Sequence, residues 1–306
     1  MFKQYYDFSL QLLENAKPIL QENYDSLVAS ARENINDALI WKQSKTKELV
    51  TKGELIAEQA MRDLVKLTYP THDIAGEEFG YQIGASDYLW AFDPIDGTAA
   101  MVESAVNIAS NTIPNVAIQP YFGTSIALLY QKKAILGLIY DLINENIWIG
   151  GTEIAPIFNG QSIILSPEKK LCDAIICSTA PQVMFNTPRQ QKSFHSICSK
   201  AKAVYTNRNC IGFMQLLTGE VDAVWEGDLA FHDVAALIPI LEQSGIKITD
   251  EYGDEIVFSS KNYHSEYRII AAQPILHAEI IANVNVNFEY LPDTTNKNNE
   301  YYTQKF

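Results

Sequence analysis

Strand-length apolar runs between residues 88 and 151 constrain the fold more than any other feature of the sequence. They are YLWAF, GTSIALLY, AILGLIYD and ENIWIGG. Each is rich in β-branched or aromatic residues, and Gly, Asn and a Lys-Lys pair stand between them, as is typical of turns that join antiparallel strands. We therefore predict a meander of antiparallel strands in this part of the chain.

Two stretches with helical periodicity precede the meander, from about residue 7 to 27 and from about 47 to 67. The apolar positions in the second stretch recur at spacings of three and four, the period of an amphipathic helix. They are Ile56, Ala60, Leu64 and Leu67. We predict two helices before the first sheet.

Beyond Asn159-Gly160 the pattern changes to an alternation of strands and helices. The predicted elements are DAIICS, a helix near 189–201, KAVYT, a helix through GFMQLLTG, VDAVWE, a helix over about 232–244, KITD, YRIIAA and a helix near 275–282. This alternation is typical of α/β structure. We predict an α+β N-terminal subdomain over residues 1–158, an α/β subdomain over 159–284 packed closely against it, and a partly disordered polar tail over 285–306.

The balance of charge restricts the partners of the chain. The 306 residues include 23 Lys and Arg against 37 Asp and Glu, which gives a net charge of −14 at pH 7. A nucleic-acid backbone and an anionic membrane surface both attract clustered positive charge, so we predict neither as a partner. A protein this acidic must recruit cations if it handles a phosphate.

Cysteine usage and the first residues indicate where the protein works. Cys172, Cys177, Cys198 and Cys210 form no C-x-x-C pair, which argues against a zinc site and favours reduced, mostly buried thiols. The N-terminal MFKQYYDFSL is too polar for a signal peptide, and no apolar run in the sequence approaches the length that spans a bilayer. We therefore predict a soluble, cytoplasmic protein.

Acidic residues occur in three short motifs along the chain. They are GEEFG at 76–80, AFDPIDGT at 91–98 and HDVAA at 232–236. Each has a plain structural interpretation by itself: a solvated acidic turn, a turn with Asp caps, and a helix with an acid in its first turn. Taken together, their carboxylates suit a hard cation such as Mg²⁺.

The DPIDG segment places two acids three residues apart, directly after an apolar strand. Asp93 and Asp96 can face one point only if the backbone turns between them, and Pro94 fixes φ where such a turn begins. Gly97 and Thr98 then present free amides, and at a helix start these amides and the helix dipole favour a phosphate. We predict that a metal site and a phosphate site meet here.

The three motifs, in this order, resemble the inositol monophosphatase family of Mg²⁺-dependent, lithium-sensitive phosphomonoesterases. The matching pieces are GEE at 76–78, DPIDGT at 93–98 and WEGDLAFHDVAA at 225–236, and the similarity runs from about residue 49 to 250. The resemblance implies an α/β fold of the layered αβαβα sandwich type found in sugar phosphatases. It also implies two or three Mg²⁺ ions as cofactors, a small phosphorylated alcohol as substrate, and a homodimer.

Residue roles follow from the resemblance, position by position. Metal-ligand positions are matched by Glu77, Asp93, the Ile95 carbonyl, Asp96 and Asp233. Phosphate- or substrate-binding positions are matched by Asp96, Gly97, Thr98, Asp233 and, at the alcohol portion, Glu226. Catalytic positions are matched by Glu77, Thr98 and Glu54. In the family, cations activate the water that attacks phosphorus in line and stabilise the leaving alkoxide, and the matching Thr orients that water.

One catalytic position departs from the family pattern. The partner of the matching Thr is an Asp in a T-x-x-D pattern, whereas here Thr51-Lys52-Gly53-Glu54 puts Glu54 at that place. A carboxylate is kept at this position, but the longer side chain of Glu places it farther from the backbone than an Asp would.

The residue before Asp233 invites interpretation as a base, because it is His232. The same position is aromatic in much of the family. We therefore interpret His232 as a packing or hydrogen-bonding residue.

Several segments resemble the bacterial histidinol-phosphatase branch of the family, above all DLAFHDVAALIPILEQSG at 228–245. Two substrate positions depart from that branch. Ala-Ala-Met at 99–101 stands where the branch has Arg-Ala-Phe, and Asn209 replaces an acid that pairs with a cationic amine. The segment 102–120, which is longer than usual for the family, is predicted to be a lid or a dimer contact.

Two hypotheses of different class follow. The first is a working phosphomonoesterase on a small alcohol phosphate, with histidinol phosphate as the leading substrate, inositol phosphates second and 3′-phosphoadenosine phosphate third. The second is a family member with altered or lost turnover that binds a phosphometabolite. This second hypothesis rests on the presence of Glu54 and of Ala-Ala-Met at 99–101.

Overall fold

The structure is a computed structural model that describes residues 2–33, 39–41, 49–110, 120–258 and 266–289. Parts of two sequence predictions lie outside the described residues: 111–119 of the lid or dimer segment and 290–306 of the tail.

The α-helices in the described part of the chain are α1 (Phe2–Ala31), α2 (Lys52–Thr68), α3 (Thr98–Ser110), α4 (Pro181–Met184), α5 (Pro188–Cys198), α6 (Asn209–Thr218), α7 (Phe231–Ala235), α8 (Leu237–Gln243) and α9 (Pro274–Glu289). The strands there are β1 (Leu39–Trp41), β2 (Leu49–Thr51), β3 (Asp73–Gly76), β4 (Gly80–Gln82), β5 (Tyr88–Asp96), β6 (Gly123–Tyr130), β7 (Lys133–Asp141), β8 (Asn146–Gly151), β9 (Ile154–Phe158), β10 (Gln161–Ser162), β11 (Ile175–Cys177), β12 (Ala203–Tyr205), β13 (Ala223–Leu229), β14 (Lys247–Asp250) and β15 (Tyr267–Ala272).

An eight-stranded sheet has the strand order β10-β9-β8-β7-β6-β5-β3-β4. Strands β5 to β8 pair antiparallel in chain order, with Tyr88 opposite Tyr130 and Tyr140 opposite Ile147, so the predicted meander is confirmed. Strand β3 pairs parallel with β5. Because parallel neighbours end at the same edge of a sheet, the GEE motif after β3 comes to lie beside the acids at the end of β5.

A five-stranded sheet has the order β12-β11-β13-β15-β14. Strands β12, β11 and β13 run parallel, and β15 runs antiparallel to both of its neighbours. The strands predicted beyond Asn159 are present, and α9 continues to Glu289, into the predicted polar tail. The helix predicted over 232–244 is instead divided into α7 and α8. Pro239 explains the division, because a proline lacks an amide donor and fits only the first turn of a helix.

Three apolar cores separate five layers of structure. Helices α1, α2 and α3 cover one face of the large sheet, α6, α7 and α8 lie between the two sheets, and α5 and α9 cover the outer face of the small sheet. The core between α1–α3 and the large sheet includes Leu12, Met61 and Trp90. The core between the two sheets includes Leu129, Leu241 and Ile269. The core on the outer face of the small sheet includes Ile197, Trp225 and Leu276. The predicted αβαβα sandwich is confirmed. The subdomain boundary at residue 158 stays a prediction, because α8 packs on β7 and β8 and so joins the two parts.

Helix α2 is present over Lys52–Thr68, while residues 49–51 of the predicted helix form β2 instead. Of the apolar stripe that indicated the helix, Leu64 packs against the core, but both ends of the stripe are exposed. Ile56 is 57% exposed and Leu67 is 81% exposed. The buried face instead includes the charged side chains of Glu54, Glu58 and Arg62. Burying charge is costly unless the groups are paired and hydrogen-bonded, so this face of α2 serves something other than packing alone.

Helix α1 is the longest described helix and lies along the large sheet, with Leu12, Ala16, Leu20 and Leu27 on its buried face. Its partly exposed Lys17 bonds Glu145 at 3.1 Å in the turn between β7 and β8. Within the described ranges, no helix has the length and apolar character needed to cross a membrane.

The thiols of all four cysteines are free, as predicted. Cys177 and Cys210 are buried, Cys198 is half-buried and Cys172 is exposed. The prediction of mostly buried thiols therefore holds fully for two of the four.

We predict that Gly137 is required where the layer between the sheets meets β7. A Cβ atom on Gly137 would lie 2.0 Å from the carbonyl oxygen of Ala236, between α7 and α8, and backbone there cannot give way cheaply. Gly137→Ala should lower the free energy of unfolding by about 1–3 kcal/mol, the usual cost of overpacking, in urea denaturation. Lys133→Ala, at an exposed position of the same strand, should stay within about 0.5 kcal/mol of wild type. An unchanged urea midpoint for Gly137→Ala would contradict the packing described.

Candidate active site

The fold brings together acids that lie far apart in the sequence. Asp93 and Asp96 lie at the end of β5, Glu77 in the turn after β3, and Asp233 in α7. Oxygen atoms of Asp93, Asp96 and Asp233 all lie within 4.8 Å of one another. So do ligand atoms of Glu77, Asp93 and His232, and the two groups share Asp93.

The two acids of the DPID segment converge through a β-bulge, and the turn predicted at Pro94 is wrong. All four residues remain in β5, where Asp93 pairs with Ser125 and Asp96 pairs with Gly123 on β6. Side chains three apart on a regular strand point to opposite faces of the sheet. The extra residue of the bulge reverses that alternation, so both carboxylates can face one point.

Hydrogen bonds hold the bulge in place from both sides. The Asp93 Oδ1 atom accepts from the amide of Ile95 at 3.0 Å, and the Thr124 hydroxyl donates to the Pro94 carbonyl at 2.9 Å. Asp93 is 1% exposed and Ile95 is likewise buried. The backbone between the acids is therefore fixed before any ligand binds.

Helix α3 begins at Thr98, directly after the acids. This confirms the predicted helix start. Gly97 has φ of +100°, a conformation that L side chains rarely adopt, and a Cβ there would lie 2.3 Å from Asn209 Nδ2. The free amides of Gly97 and Thr98 lie where the first turn of a helix attracts an anion.

Glu54 reaches Thr98 although it is longer than the Asp of the family pattern. The Thr98 hydroxyl donates to Glu54 Oε1 at 2.5 Å, and the amide and hydroxyl of Thr51 donate to Glu54 Oε2 at 2.7 and 2.5 Å. Glu54 is fully buried. Burial raises its pKa to about 7, although the bonds from Thr51 and Thr98 act in the opposite direction. A carboxyl near neutrality in contact with a hydroxyl is suited to accept a proton.

Burial and like charge oppose ionisation of the acids at the end of β5. The pKa of Asp93 is raised well above its ordinary value by burial and then by the charges of Glu77, Asp96 and Asp233. Burial raises the pKa of Asp96 to about 8, even though the Cys210 amide donates to Asp96 Oδ2 at 2.5 Å. The pKa of Asp233 is raised mainly by burial. Closely spaced carboxylate oxygens of this kind fit hard divalent cations such as Mg²⁺.

Glu226 lies in the middle of β13 and is 1% exposed. The amide and hydroxyl of Thr179 each donate to Glu226 Oε1 at 2.8 Å. The Thr179 hydroxyl in turn accepts from the amide of Asn209 at 2.9 Å, and the Asn209 side chain donates to the carbonyl of Tyr121 at 2.7 Å. Since Asn209 also lies against Gly97, a continuous set of contacts links Glu226 to the start of α3, where the phosphate site is predicted.

His232 lies beside the acids of the site. Its Nε2 atom is 3.6 Å from Asp233 Oδ1, and its carbonyl accepts from the Ser125 hydroxyl at 3.2 Å. The imidazole belongs to the group of potential ligand atoms around Glu77 and Asp93. A role in packing or hydrogen bonding stays a prediction, as do the catalytic and ligand roles assigned to the other site residues.

Two contributors to the site were not predicted from the sequence. The Cys210 amide binds Asp96 from the first turn of α6, and no sequence signal marks a backbone donor. Glu58 and Arg62 hold the turn that carries Glu77. Their spacing of four residues on α2 was a usable signal, because opposite charges at that spacing meet on one helix face.

We predict that the metal-free protein loses stability as the pH rises from about 5 to 8. An acid whose pKa is higher in the folded than in the unfolded state binds more protons when folded, so the free energy of unfolding falls with pH between the two values. The pKa of Asp96 is raised to about 8 and that of Glu226 to about 7. In calorimetry with chelator, Asp96→Asn should raise Tm by about 2–4 °C at pH 8 and by less at pH 5, because the stability difference grows from the unfolded to the folded pKa of Asp96.

A matched control for this measurement is Asp228→Asn. Asp228 is exposed, and Asn tolerates its φ of 58°, so the pH dependence of Tm should stay that of wild type. Mg²⁺ should stabilise the wild-type protein more at pH 8 than at pH 5. If Asp96→Asn were no more stable than wild type at pH 8, the electrostatic account of the site would be wrong.

Comparisons with known proteins identify the family. The model of the inositol monophosphatase family matches residues 2–287. A bifunctional phosphatase, IMPL2, of the Arabidopsis thaliana chloroplast is 33% identical over 227 residues, which is 73% of this chain and 61% of that protein. The chain therefore spans less than two thirds of that relative. Nus factor SuhB of Pseudomonas aeruginosa is 25% identical over 224 residues, 71% of this chain and 78% of that protein.

Solved structures share the fold. An IMPase of Thermotoga maritima superposes with a TM-score of 0.70 at 22% identity, over 94% of this chain and 98% of that one. The suppressor protein suhB of Bartonella henselae superposes with a TM-score of 0.74 at 20% identity, over 92% of this chain and 98% of that one. The family match covers nearly the whole chain, and the chain belongs to the inositol monophosphatase family.

Proposed function

We propose that the protein is a Mg²⁺-dependent phosphomonoesterase that hydrolyses a small alcohol phosphate. The observation that carries the proposal is the meeting of Asp93, Asp96 and Asp233 with the free amides of Gly97 and Thr98 at one corner. Carboxylates alone repel a phosphate, and helix amides alone do not concentrate cations. The two together form a site at which cations and a phosphate bind side by side.

Divalent cations in this site would neutralise the charge of the phosphate and lower the pKa of a bound water. The groups that would hold them are Glu77, Asp93, the Ile95 carbonyl, Asp96 and Asp233. In the proposal, the Gly97 and Thr98 amides donate to phosphate oxygens and fix the phosphorus relative to the acids.

The Thr98 hydroxyl donates to Glu54, which leaves its oxygen lone pairs to accept from the attacking water. Water oxygen forms the new bond to phosphorus, the bond from phosphorus to the alcohol oxygen breaks, and the alcohol oxygen takes up a proton. Glu54, with its pKa raised to about 7 by burial, is suited to accept the proton that water loses. Glu77 contributes to the same step beside Asp93.

For the alcohol portion we propose Glu226 as the specificity residue and histidinol phosphate as the first substrate to test. A buried carboxylate that already accepts from Thr179 is suited to pair with an ammonium group. Asn209 is neutral and its amide nitrogen is occupied by Tyr121, so Glu226 is the acid left to pair with an amine at this end. Inositol phosphates and 3′-phosphoadenosine phosphate remain the second and third candidates.

The second candidate function is a family member that binds a phosphometabolite without efficient turnover. This candidate rests on Glu54 and on Ala-Ala-Met at 99–101, which depart from the family pattern. The contact between Glu54 and Thr98 favours the enzyme. Met101 is fully buried in the core and Ala100 is the residue that the histidinol-phosphatase branch also has, so within that triplet only Ala99 changes the site surface. The net charge of −14 continues to favour a small substrate over RNA as partner, although several relatives are named Nus factor SuhB.

We predict Mg²⁺-dependent release of inorganic phosphate from at least one of histidinol phosphate, inositol 1-phosphate and 3′-phosphoadenosine phosphate. Asp93→Asn and Glu54→Gln should each lower kcat/KM by about 10²-fold or more, the scale for losing a group that acts in the transition state. Asp63→Asn, at an exposed position of α2, is the matched control and should be as active as wild type. Li⁺ should inhibit the reaction.

The substrate panel separates the alternatives. Turnover of inositol 1-phosphate alone would refute the histidinol-phosphatase branch and keep the phosphatase. Absence of Mg²⁺-dependent turnover on all three would reject the enzyme in favour of the binding protein. Glu226→Gln should raise KM for the preferred substrate more than it lowers kcat, because its role lies at the alcohol portion.

The finer predictions on assembly and location belong to the same proposal. A homodimer is testable by light scattering on the purified protein, which should give about twice the chain mass of 34.3 kDa. A cytoplasmic location is testable by cell fractionation.

A further inference from the structure

Glu58 and Arg62 form a buried ion pair on α2. Arg62 Nε donates to Glu58 Oε1 at 2.7 Å, and the two side chains are 4% and 0% exposed. A buried pair of this kind costs desolvation energy that its own attraction recovers only with further hydrogen bonds. The further bonds of this pair all go to one short segment of backbone, the turn between β3 and β4.

Glu58 binds the amides that follow Glu77. Its Oε2 atom accepts from the amide of Glu78 at 2.7 Å, and its Oε1 atom accepts from the amide of Phe79 at 3.2 Å. On the other side of Glu77, a Cβ atom at Gly76 would lie 2.1 Å from Glu58 Oε1. The carboxylate therefore lies directly against the backbone both before and after Glu77.

Arg62 extends the same contact to the end of the turn. Its Nη2 atom donates to the carbonyl of Gly80, and its guanidinium lies 5.9 Å from the centroid of the Phe79 ring. The amide of Glu77 donates to the carbonyl of Phe92 at 3.2 Å. The backbone of Glu77 is thus fixed between β5 on one side and the ion pair on the other.

The position of Glu77 needs such support because its own carboxylate is repelled. Ligand atoms of Glu77 and Asp93 lie within 4.8 Å of each other, a distance at which two ionised carboxylates repel. A three-residue turn without restraint would relieve this repulsion by moving away from Asp93. Stability by itself does not explain the pair, since apolar side chains of similar volume commonly serve a buried position as well or better.

We propose that Glu58 and Arg62 are positioning residues that hold the Glu77 turn in the geometry needed to bind a divalent cation. The inference rests on the proposed function, in which Glu77 is a ligand. Glu58 presents a negative charge to two amides, and Arg62 keeps that charge in place while fixing the last carbonyl of the turn. The pair acts on the cation through Glu77 and touches neither cation nor substrate.

The test measures Mg²⁺ affinity by isothermal titration calorimetry on metal-free full-length protein. Glu58→Gln keeps the shape but places an amide donor against backbone donors, and should weaken Mg²⁺ binding about 10–100-fold, the usual effect of losing a group that orients a ligand. Arg62→Lys keeps one cationic donor and should fall between Glu58→Gln and wild type. Amide hydrogen exchange of Glu78 and Phe79 should be faster in Glu58→Gln than in wild type.

The matched control is Met61→Ala, which removes a fully buried side chain from the same helix face. Met61 belongs to the apolar core between α2 and the large sheet, so this variant should lower Tm and keep wild-type Mg²⁺ affinity and wild-type exchange at the turn. At saturating Mg²⁺, the phosphatase activity of Glu58→Gln should recover towards wild type, because positioning can be compensated by mass action.

Two results would overturn the inference. Wild-type Mg²⁺ affinity in Glu58→Gln together with a lowered Tm would make the pair a structural element only. Equal loss of affinity in Glu58→Gln and Met61→Ala would make the effect one of general destabilisation. Failure of the proposed function is a separate observation, since it appears in the wild-type protein as the absence of Mg²⁺-dependent turnover on the substrate panel.

Discussion

Electrostatic repulsion among Asp93, Asp96, Asp233 and Glu77 is the constraint around which the rest of the structure is arranged. Burial and mutual repulsion raise the pKa of each of the three aspartates. Such a group of acids would separate unless the surrounding backbone prevented it. In the proposed function, divalent cations between these carboxylates would offset their repulsion.

Each element that carries an acid is held by a different kind of contact. The bulge in β5 is bonded to β6 through Thr124, and the Glu77 turn is bonded to α2 through Glu58. Helix α7 approaches the large sheet closely because Gly137 has no side chain opposite Ala236. Parallel pairing of β3 with β5 brings the first two of these elements to one edge. The site is therefore a property of the layered fold as a whole.

Local patterns in the sequence predicted most of the fold, because alternation and turn residues determine strands and helices over short distances. They failed where long-range contacts decide the outcome. The backbone at Pro94 forms a bulge and not a turn, since β6 pairs with both sides of it. The buried face of α2 carries Glu54, Glu58 and Arg62, which hydrogen-bond Thr98 and the Glu77 turn across long sequence separations. Hydrophobic periodicity alone assigns such charged residues to the surface. The acids of the site could be predicted only from the three motifs taken together and in order, because each motif alone also fits a turn or a helix cap.

The residues proposed for chemistry and those proposed for specificity lie on different parts of the molecule. The acids and the amides of Gly97 and Thr98 lie where β5 meets α3, whereas Glu226 and Thr179 belong to the small sheet and the loop after β11. Asn209 contacts both groups, through Gly97 on one side and Thr179 on the other. In the proposed function, a change at Glu226 alters the accepted alcohol, while the acids at the end of β5 keep the backbone contacts that hold them.

The central claim is that these acids and helix amides form one cation-dependent phosphate site. A crystal structure of the protein with Mn²⁺ and inorganic phosphate, with the metal located by anomalous scattering, tests it most directly. The account predicts metal peaks at about 2.1 Å from oxygens of Asp93, Asp96 and Asp233, with phosphate density in contact with the amides of Gly97 and Thr98. Metal peaks elsewhere, or phosphate bound away from the start of α3, would contradict it.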